Sequence, residues 1–349
     1  MSAPRVTVLM PVYNAEAFVA QSAASILNQT FGDFELLVVD DGSTDATPEI
    51  LRSYDDRRLR ILRNSENLGL TRSLNIGLSE ARGALVARQD ADDISYPERL
   101  ECQVAFLDAH PDVPALGAQF HSIDGRGRRR PLHLWMKCET SLGIRWQLIF
   151  ENALIHSSVM FRRDVVADLF HGYDETFQRN QDFDLWTRIA RRYPLRNLHE
   201  VLISLRGRPD SLNAGYTQRS IARVREVCVA YADDTLGPGE IGQEGLDALL
   251  QGMSPRIYPP LRDLQPVIQW IDDAYRRFID LWPEAAQLRE IRAHAASLVA
   301  RLAILSAVKS PAGMSRWYLQ VARYDVPMFA RGLVRFAATG GRALFRHTS

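Results

Sequence analysis

Short apolar runs alternate with helix-period stretches through the first third of the chain. Val6–Val12 (VTVLMPV) is a continuous apolar run closed by Tyr13-Asn14 and predicts a buried strand. Over 15–29, Phe18, Val19, Ala23, Ile26 and Leu27 fall on one helical face. Residues 34–39 (FELLVV) predict a second buried strand and 44–54 a second helix. A third strand follows at 59–62, then a third helix at 70–82 closed by Gly83, and a fourth strand at 84–88. The fourth helix, 97–110, carries Pro in its first turn, where a missing N–H costs nothing. This order predicts a Rossmann-like α/β fold, a mostly parallel sheet with helices on both faces. Right-handed crossovers place the strand C-termini on one edge, and ligands bind outside that edge.

Beyond the alternation, 113–124 and 154–162 predict strands, and 142–150, 182–192 and 218–234 helices. Residues 237–260 are rich in Gly and Pro and predict a linker, with helices at 264–281 and 284–305 after it. The organisation expected is an α/β domain over 1–215 and a helical region over 216–349, serving packing, oligomerisation or membrane-surface contact.

Composition narrows the function classes. Hydrophobic residues make up 46% and charged residues 24%, so disordered, collagen-like and disulfide-scaffold classes are excluded. Lys+Arg and Asp+Glu are both 42, and a neutral chain lacks the basic surplus of a dedicated nucleic-acid binder. Cys102, Cys138 and Cys228 are odd in number and far apart, which suits free thiols in a reducing cytosol. No apolar stretch reaches the length of a membrane span, and Met1–Arg5 shows no signal-peptide pattern, so a cytoplasmic location is expected.

Four polar clusters fall where the predicted sheet edge puts ligands: Pro11-Val12-Tyr13-Asn14, Asp40-Asp41-Gly42-Ser43-Thr44-Asp45, Asp90-Ala91-Asp92-Asp93, and Asn180-Gln181-Asp182-Phe183-Asp184. Asp90 and Asp92 share a face in extended chain, and their mutual repulsion would be relieved by Mg²⁺ or Mn²⁺ completed by substrate phosphates. A solvated acidic loop capping the next helix is an equal reading. Asp-Gly-Ser-Thr-Asp is also good turn chemistry, yet Asp40 or Asp41 at a strand end can accept from a base N–H or a ribose hydroxyl. Asp182 is either a capping carboxylate at a helix start or a general base for an attacking hydroxyl.

Taken together, the set resembles the family 2 glycosyltransferases of bacterial surface-polysaccharide type, which have the GT-A fold. The resemblance is carried by Val8-Leu9-Met10-Pro11-Val12-Tyr13-Asn14, Val38-Val39-Asp40-Asp41-Gly42-Ser43-Thr44-Asp45, Asn67-Leu68-Gly69-Leu70 with Leu74-Asn75-Ile76-Gly77, Asp90-Ala91-Asp92-Asp93 with Pro97-Glu98-Arg99-Leu100, and Asp182-Phe183-Asp184-Leu185-Trp186-Arg188. It covers about residues 5–210. It implies an inverting transfer from a nucleotide-diphosphate sugar, with a UDP-sugar favoured, to a glycan or polyprenyl-linked acceptor. Pro11 and Tyr13 would flank the base, Asp40 or Asp41 would bind it, and Arg72 would reach the nucleotide. Asp90 would lie near ribose and metal, Asp92 would be the main metal ligand, and Asp182 the catalytic base. His156, Arg206 and Arg208 would lie in the acceptor or diphosphate region. Two departures stand out. Gln181-Asp182 replaces an acidic pair, and Arg208 replaces a histidine; arginine pairs with phosphate but cannot ligate a metal.

Residues 301–349 carry eight basic groups against Asp325 alone, interleaved with Trp317, Phe329, Leu333, Phe336, Leu344 and Phe345. Such a pattern either lies on the inner face of an anionic membrane or packs on the protein with its arginines outward. Two rival functions remain at this point, a nucleotidyltransferase and a non-catalytic nucleotide-sugar-binding module. The first loop has no Gly or Lys for a nucleotidyltransferase phosphate loop, and GxSxG, HExxH and P-loop patterns are missing for hydrolases and kinases.

Overall fold

A computed structural model describes residues 3–130, 137–207, 218–238 and 265–307. Arg208 and the basic tail beyond 307, like most of the 237–260 linker, lie outside the described residues. The chain divides into two compact units, Met1–His133 with Glu139–Ile144 and Glu151–Arg208, and Leu134–Cys138 with Arg145–Phe150 and Pro209–Ser349.

The first unit holds an eight-stranded sheet. Its strands are β1 (Val6–Val12), β2 (Phe34–Asp40), β3 (Leu59–Arg63), β4 (Leu85–Arg88), β5 (Ile94–Ser95), β6 (Ala115–Ile123), β7 (Met160–Arg162) and β8 (Leu195–Arg206), in the spatial order β3-β2-β1-β4-β7-β6-β8-β5. The pairs β1–β2, β1–β4 and β2–β3 are parallel, as is β6–β8, whereas β7 is antiparallel to both β4 and β6. The sheet is therefore mixed but mostly parallel.

Every side chain of β1 and β2 is buried, because helices cover both faces. On one face Val8, Met10, Leu36, Val38 and Ala87 pack with Ile26 of α1 (Val19–Leu27) and with Leu100 and Leu107 of α4 (Arg99–Ala109). Helix α2 (Thr47–Arg52) adds Leu51 to that core. On the other face α3 (Leu70–Glu80) lies close to β1. A Cβ on Gly77 would sit 2.1 Å from Leu9 Cδ1, so the glycine sets how near the helix comes.

Two departures from the sequence reading bear on the site. Residues 154–162 do not form one strand; a short 3-10 turn, His156–Ser158, precedes the three residues of β7. The longest strand, β8, has no counterpart in the predicted pattern. Its register against β6 shifts on either side of Gln119, and a bulge there breaks the alternation that would reveal a strand.

The described part of the second unit is helical: α7 (Gln218–Leu236), α8 (Gln265–Leu281) and α9 (Arg289–Ala307). The end of α5 (Ser141–Gln147) and the turn after it supply its aromatic centre. Trp146 packs edge-on to Phe150 at 4.6 Å, Phe278 at 5.4 Å and Tyr275 at 5.9 Å, and Phe150 meets Trp270 at 5.2 Å. Among the described residues no helix is long and apolar enough to cross a membrane.

Candidate active site

The loops after β1 and β2 are stitched together. Asn14, with φ +46°, donates its amide to Ser43 Oγ at 3.0 Å and accepts from the Thr44 amide at 2.9 Å. Pro11 is buried within β1, while Tyr13, just past its end, stands 48% exposed. Asp40 turns inward, accepting the Ser43 amide at 2.9 Å with Arg63 Nε 3.5 Å from its other oxygen. Asp41 is buried and takes Asn64 Nδ2 and the Leu68 amide on one oxygen, at 2.8 and 2.9 Å, and the Gly69 amide on the other at 2.9 Å. Both carboxylates thus hold loops, and Asp41 fixes the whole Asn64–Gly69 connection. Gly42 has φ +74°, and a Cβ there would lie 2.7 Å from the Glu66 carbonyl carbon, so this turn admits no side chain.

The acidic loop after β4 is anchored by three arginines. Arg88 is fully buried; it donates to the Leu9 and Gln89 carbonyls and pairs with Asp90. Arg99, also fully buried, donates to Gln89 Oε1, Ser95 Oγ, Gln103 Oε1 and the Arg88 carbonyl, and burial draws its pKa down to about 9. Arg206, at the end of β8, donates through Nε to the Asp92 carbonyl at 2.8 Å and through its amide to Asp93 Oδ1 at 2.8 Å. It also reaches Gln21 Oε1 at 2.8 Å and lies over the Phe18 ring. Its guanidinium is therefore occupied in tying loops together.

Asp93 is buried, and burial together with the charges of Asp90 and Asp92 pushes its carboxyl well up. Asp90 and Asp92 reach partial exposure. They offer hard oxygen donors, although among the described residues no group of three His, Cys, Asp or Glu side chains is placed to hold a metal ion. Two carboxylates suit Mg²⁺ or Mn²⁺, which keep waters and substrate phosphates as their other ligands; the donor set fits such an ion.

Asp182 lies in the first turn of α6 (Gln181–Ala190), behind Asn180 with φ +58°. Asn152 Nδ2 donates to Asp182 Oδ2 at 2.6 Å. Desolvation outweighs that bond and the backbone N–H groups around it, and with the Asp90 charge nearby raises the carboxyl to about 6. Beside it, Tyr173 is buried and its hydroxyl lies 2.9 Å from His156 Nε2. Burial, reinforced by Arg88, holds His156 well below its ordinary pKa, so the imidazole is neutral at pH 7. Burial likewise pushes the Tyr173 hydroxyl up.

The chain that delivers Tyr173 and Asp182 is hung from α3. Asn75 brackets Tyr173, accepting its amide at 3.0 Å and donating to its carbonyl at 2.8 Å, and Thr71 Oγ1 donates to the Phe177 carbonyl at 2.6 Å. Arg72 pairs with Glu175 at 3.2 Å, both side chains exposed. Trp186 is fully buried in the core.

Residues 7–170 match the domain described as glycosyl transferase family 2. The putative glycosyltransferase EpsE of Bacillus subtilis is 35% identical over 216 residues, 60% of this chain and 76% of EpsE. The chain belongs to glycosyl transferase family 2. This glycosyltransferase is also 31% identical over 232 residues to the O-antigen biosynthesis glycosyltransferase WbnJ of Escherichia coli, 65% of this chain and 87% of WbnJ. Its fold resembles that of S. aureus TarS 1–349, solved in complex with UDP-GlcNAc, with a TM-score of 0.57 at 20% identity and 91% of each chain covered. The GT-A fold expected from the motifs is thus the fold observed.

The structure brings Asp90, Asp182 and His156 to one region of the glycosyltransferase and leaves Arg72 on an exposed ion pair. Asn152, Tyr173 and Arg88 were not legible as site residues. Asn152 carries no motif, and it reaches Asp182 across 30 residues of chain. For Tyr173 the available signal was the turn His171-Gly172-Tyr173, where His171 and Gly172 both have positive φ.

Proposed function

We propose that this glycosyltransferase moves a sugar from a nucleotide-diphosphate sugar to an acceptor hydroxyl with inversion, in the assembly of a bacterial surface polysaccharide. The observation that carries the reading is the Asp182 carboxylate. It sits at a helix start beside Asp90, oriented by Asn152 and raised to about 6 by desolvation. A base so poised is ionised at neutral pH and still basic enough to take a proton from a hydroxyl in flight.

Asp182 accepts the acceptor's proton as its oxygen attacks the anomeric carbon from the face opposite the diphosphate. No side chain need attack the sugar, so configuration inverts in one displacement. Tyr13 covers one face of the base, and the loops held by Asp40 and Asp41 shape the base pocket. Asp92, with Asp90, would hold a divalent cation. When bound, that ion stabilises the negative charge that develops on the leaving diphosphate. His156 and Tyr173 stay uncharged at the inner wall of the site, so neither competes with Asp182 for the proton. The polysaccharide assignment is supported by the relatives' roles, WbnJ among them.

The deciding experiment is thermal stability against UDP, GDP, dTDP and CDP, each with and without Mn²⁺. A ligand bound only by the native state raises stability with the logarithm of its concentration over Kd. One diphosphate is expected to stabilise the wild type in a Mn²⁺-dependent way and to lose that dependence in Asp92→Ala. Equal, metal-independent shifts in both proteins would remove Asp92 from the metal.

A further inference from the structure

Arginine is concentrated at one place that the reaction just described does not use. Gly125-Arg126-Gly127-Arg128-Arg129-Arg130 leaves β6 at Ile123 and folds into a hairpin. The Asp124 amide donates to the Arg128 carbonyl, the Gly127 amide to the Asp124 carbonyl and the Arg130 amide to the Ser122 carbonyl, each at 2.9 Å. Gly127 has φ +76°, which the turn requires. Asp124 accepts from the Arg126 and Arg128 amides at 2.9 and 3.0 Å and from Arg128 Nε at 2.8 Å. The loop is a built turn with its arginines held at set positions.

Among the described residues its charge is left largely uncompensated. Asp124 is the hairpin's one carboxylate, and it is spent on Arg128 and on turn amides. Arg129 and Arg130 direct donors to neutral oxygens, Tyr96 Oη at 3.3 Å and the Gly207 carbonyl at 3.5 Å. Arg126 and Arg129 are exposed. The field is felt next door: burial, and after it the Arg129 charge, lower the pKa of His121.

The topology places this charge on the site's edge. Strand β7 is antiparallel to both β4 and β6, so β6 runs parallel to β4 and its C-terminal end faces the same edge as the Asp90–Asp93 loop. Arg206 measures how near the two are. One guanidinium donates to the Asp92 carbonyl at 2.8 Å and to the hairpin's Asp124 and Gly125 carbonyls at 3.1 and 3.3 Å. Guanidinium groups match phosphate oxygens bidentately, and an anion held by exposed arginines beside an acidic loop needs no metal.

We propose that the hairpin 124–130 is a binding site for a phosphate or diphosphate group carried by the acceptor, separate from the place of the donor's diphosphate. The inference rests on the transfer reading above, in which the donor's charge is met at Asp90 and Asp92. The acceptor's phosphate would anchor it at the rim while its hydroxyl reaches Asp182.

The test is calorimetric titration of the full chain with inorganic pyrophosphate and with geranyl diphosphate in EDTA, where donor-type, metal-held binding is removed. The wild type is expected to bind both. The double variant Arg126→Gln/Arg129→Gln should bind about tenfold or more weakly, the scale of lost charge-assisted hydrogen bonds. Arg126→Gln alone, a fully solvated change, should show part of the loss with an unaltered melting temperature. Asp92→Ala should bind as tightly as the wild type or more so. No metal-free binding by the wild type, or equal affinity in the double variant, overturns the proposal. So does parallel loss in the double variant and Asp92→Ala, which would mean one shared site. Binding to phosphatidylglycerol vesicles without binding to soluble pyrophosphate would assign the hairpin to a lipid surface and overturn it as well. The Mn²⁺-linked nucleotide shift is expected to survive in the double variant; its absence from the wild type would sink the transfer reading instead.

Discussion

Asp41 and Asp182 are two carboxylates on the same enzyme that the fold treats in opposite ways. Asp41, at the end of β2, is the more deeply buried, and three donors cover its two oxygens. In the folded state it holds Asn64, Leu68 and Gly69 in place. Asp182, at the start of α6, is partly exposed, has one side-chain donor in Asn152, and has its carboxyl lifted to about 6. The difference teaches that burial alone does not mark the reactive group. A carboxylate whose hydrogen bonds all close loops is structural, and one left costly to ionise is available for chemistry.

The contrast is broken most directly at Asp182. Asp182→Asn keeps the shape and the contact with Asn152 but cannot accept a proton. The turnover number is expected to fall about 10²- to 10⁴-fold, the usual worth of a general base. Nucleotide affinity should stay within a few-fold of wild type by calorimetry. A variant that turns over at the wild-type rate would remove Asp182 from the reaction.

The same carboxyl carries a stability cost whose sign can be worked out. Its pKa is about 6 folded against an ordinary 3.8, so the native state binds the proton more tightly than the unfolded chain. Its contribution is most favourable below about pH 4 and is lost as pH rises through about 6. Asp182→Asn escapes that cost. Discounted for partial exposure, the variant should be more stable than wild type by about 1–2 kcal/mol at pH 8 and nearly equal at pH 4, read by urea unfolding at both. A variant less stable than wild type at pH 8 would mean that the carboxylate is stabilising there and that the comparison with Asp41 fails.

Asp41→Asn tests the other side. The amide cannot serve all three donors, and a stability loss of about 1–3 kcal/mol is expected at pH 7, read by urea unfolding. Unchanged stability with weakened nucleotide binding would instead make Asp41 a base-contacting residue, the role the motif resemblance allows it.

How much of this was legible follows from what each residue depends on. The strands β1 to β4 are local apolar runs buried on both faces, and their order alone dictates a parallel sheet and its ligand edge. Asp90, Asp92 and Asp182 could be named because they sit at the ends of such elements. β8 stayed hidden because its bulged pairing with β6 breaks period two and its charged residues mimic a loop. The aromatic centre of the second unit was hidden for a related reason. Trp146 and Phe150 come from a segment distant in sequence from Trp270 and Phe278, and no local period links them. Arg206 was visible as a residue, but its use as a tether between two loops depends on partners 82 and 114 residues away.

The smallest effect expected sharpens the comparison most, because it leaves both carboxylates in place. Asn152 donates to Asp182 and accepts the Leu154 amide at 3.2 Å. Its bond favours the ionised carboxyl, against desolvation and the charge of Asp90; Tyr173 is the other titratable group that faces it. Asn152→Ala removes that bond, so the carboxyl titrates higher and the acid limb of kcat/KM moves to higher pH. At pH 8 the rate should remain within several-fold of wild type, and the gap should widen toward pH 6. Asn152→Asp places a like charge against Asp182 and should move the limb further in the same direction. A merely structural role for Asn152 would lower kcat/KM by one factor at every pH. An acid limb that stays fixed in both variants would show that the group titrating in the reaction is not the one Asn152 touches.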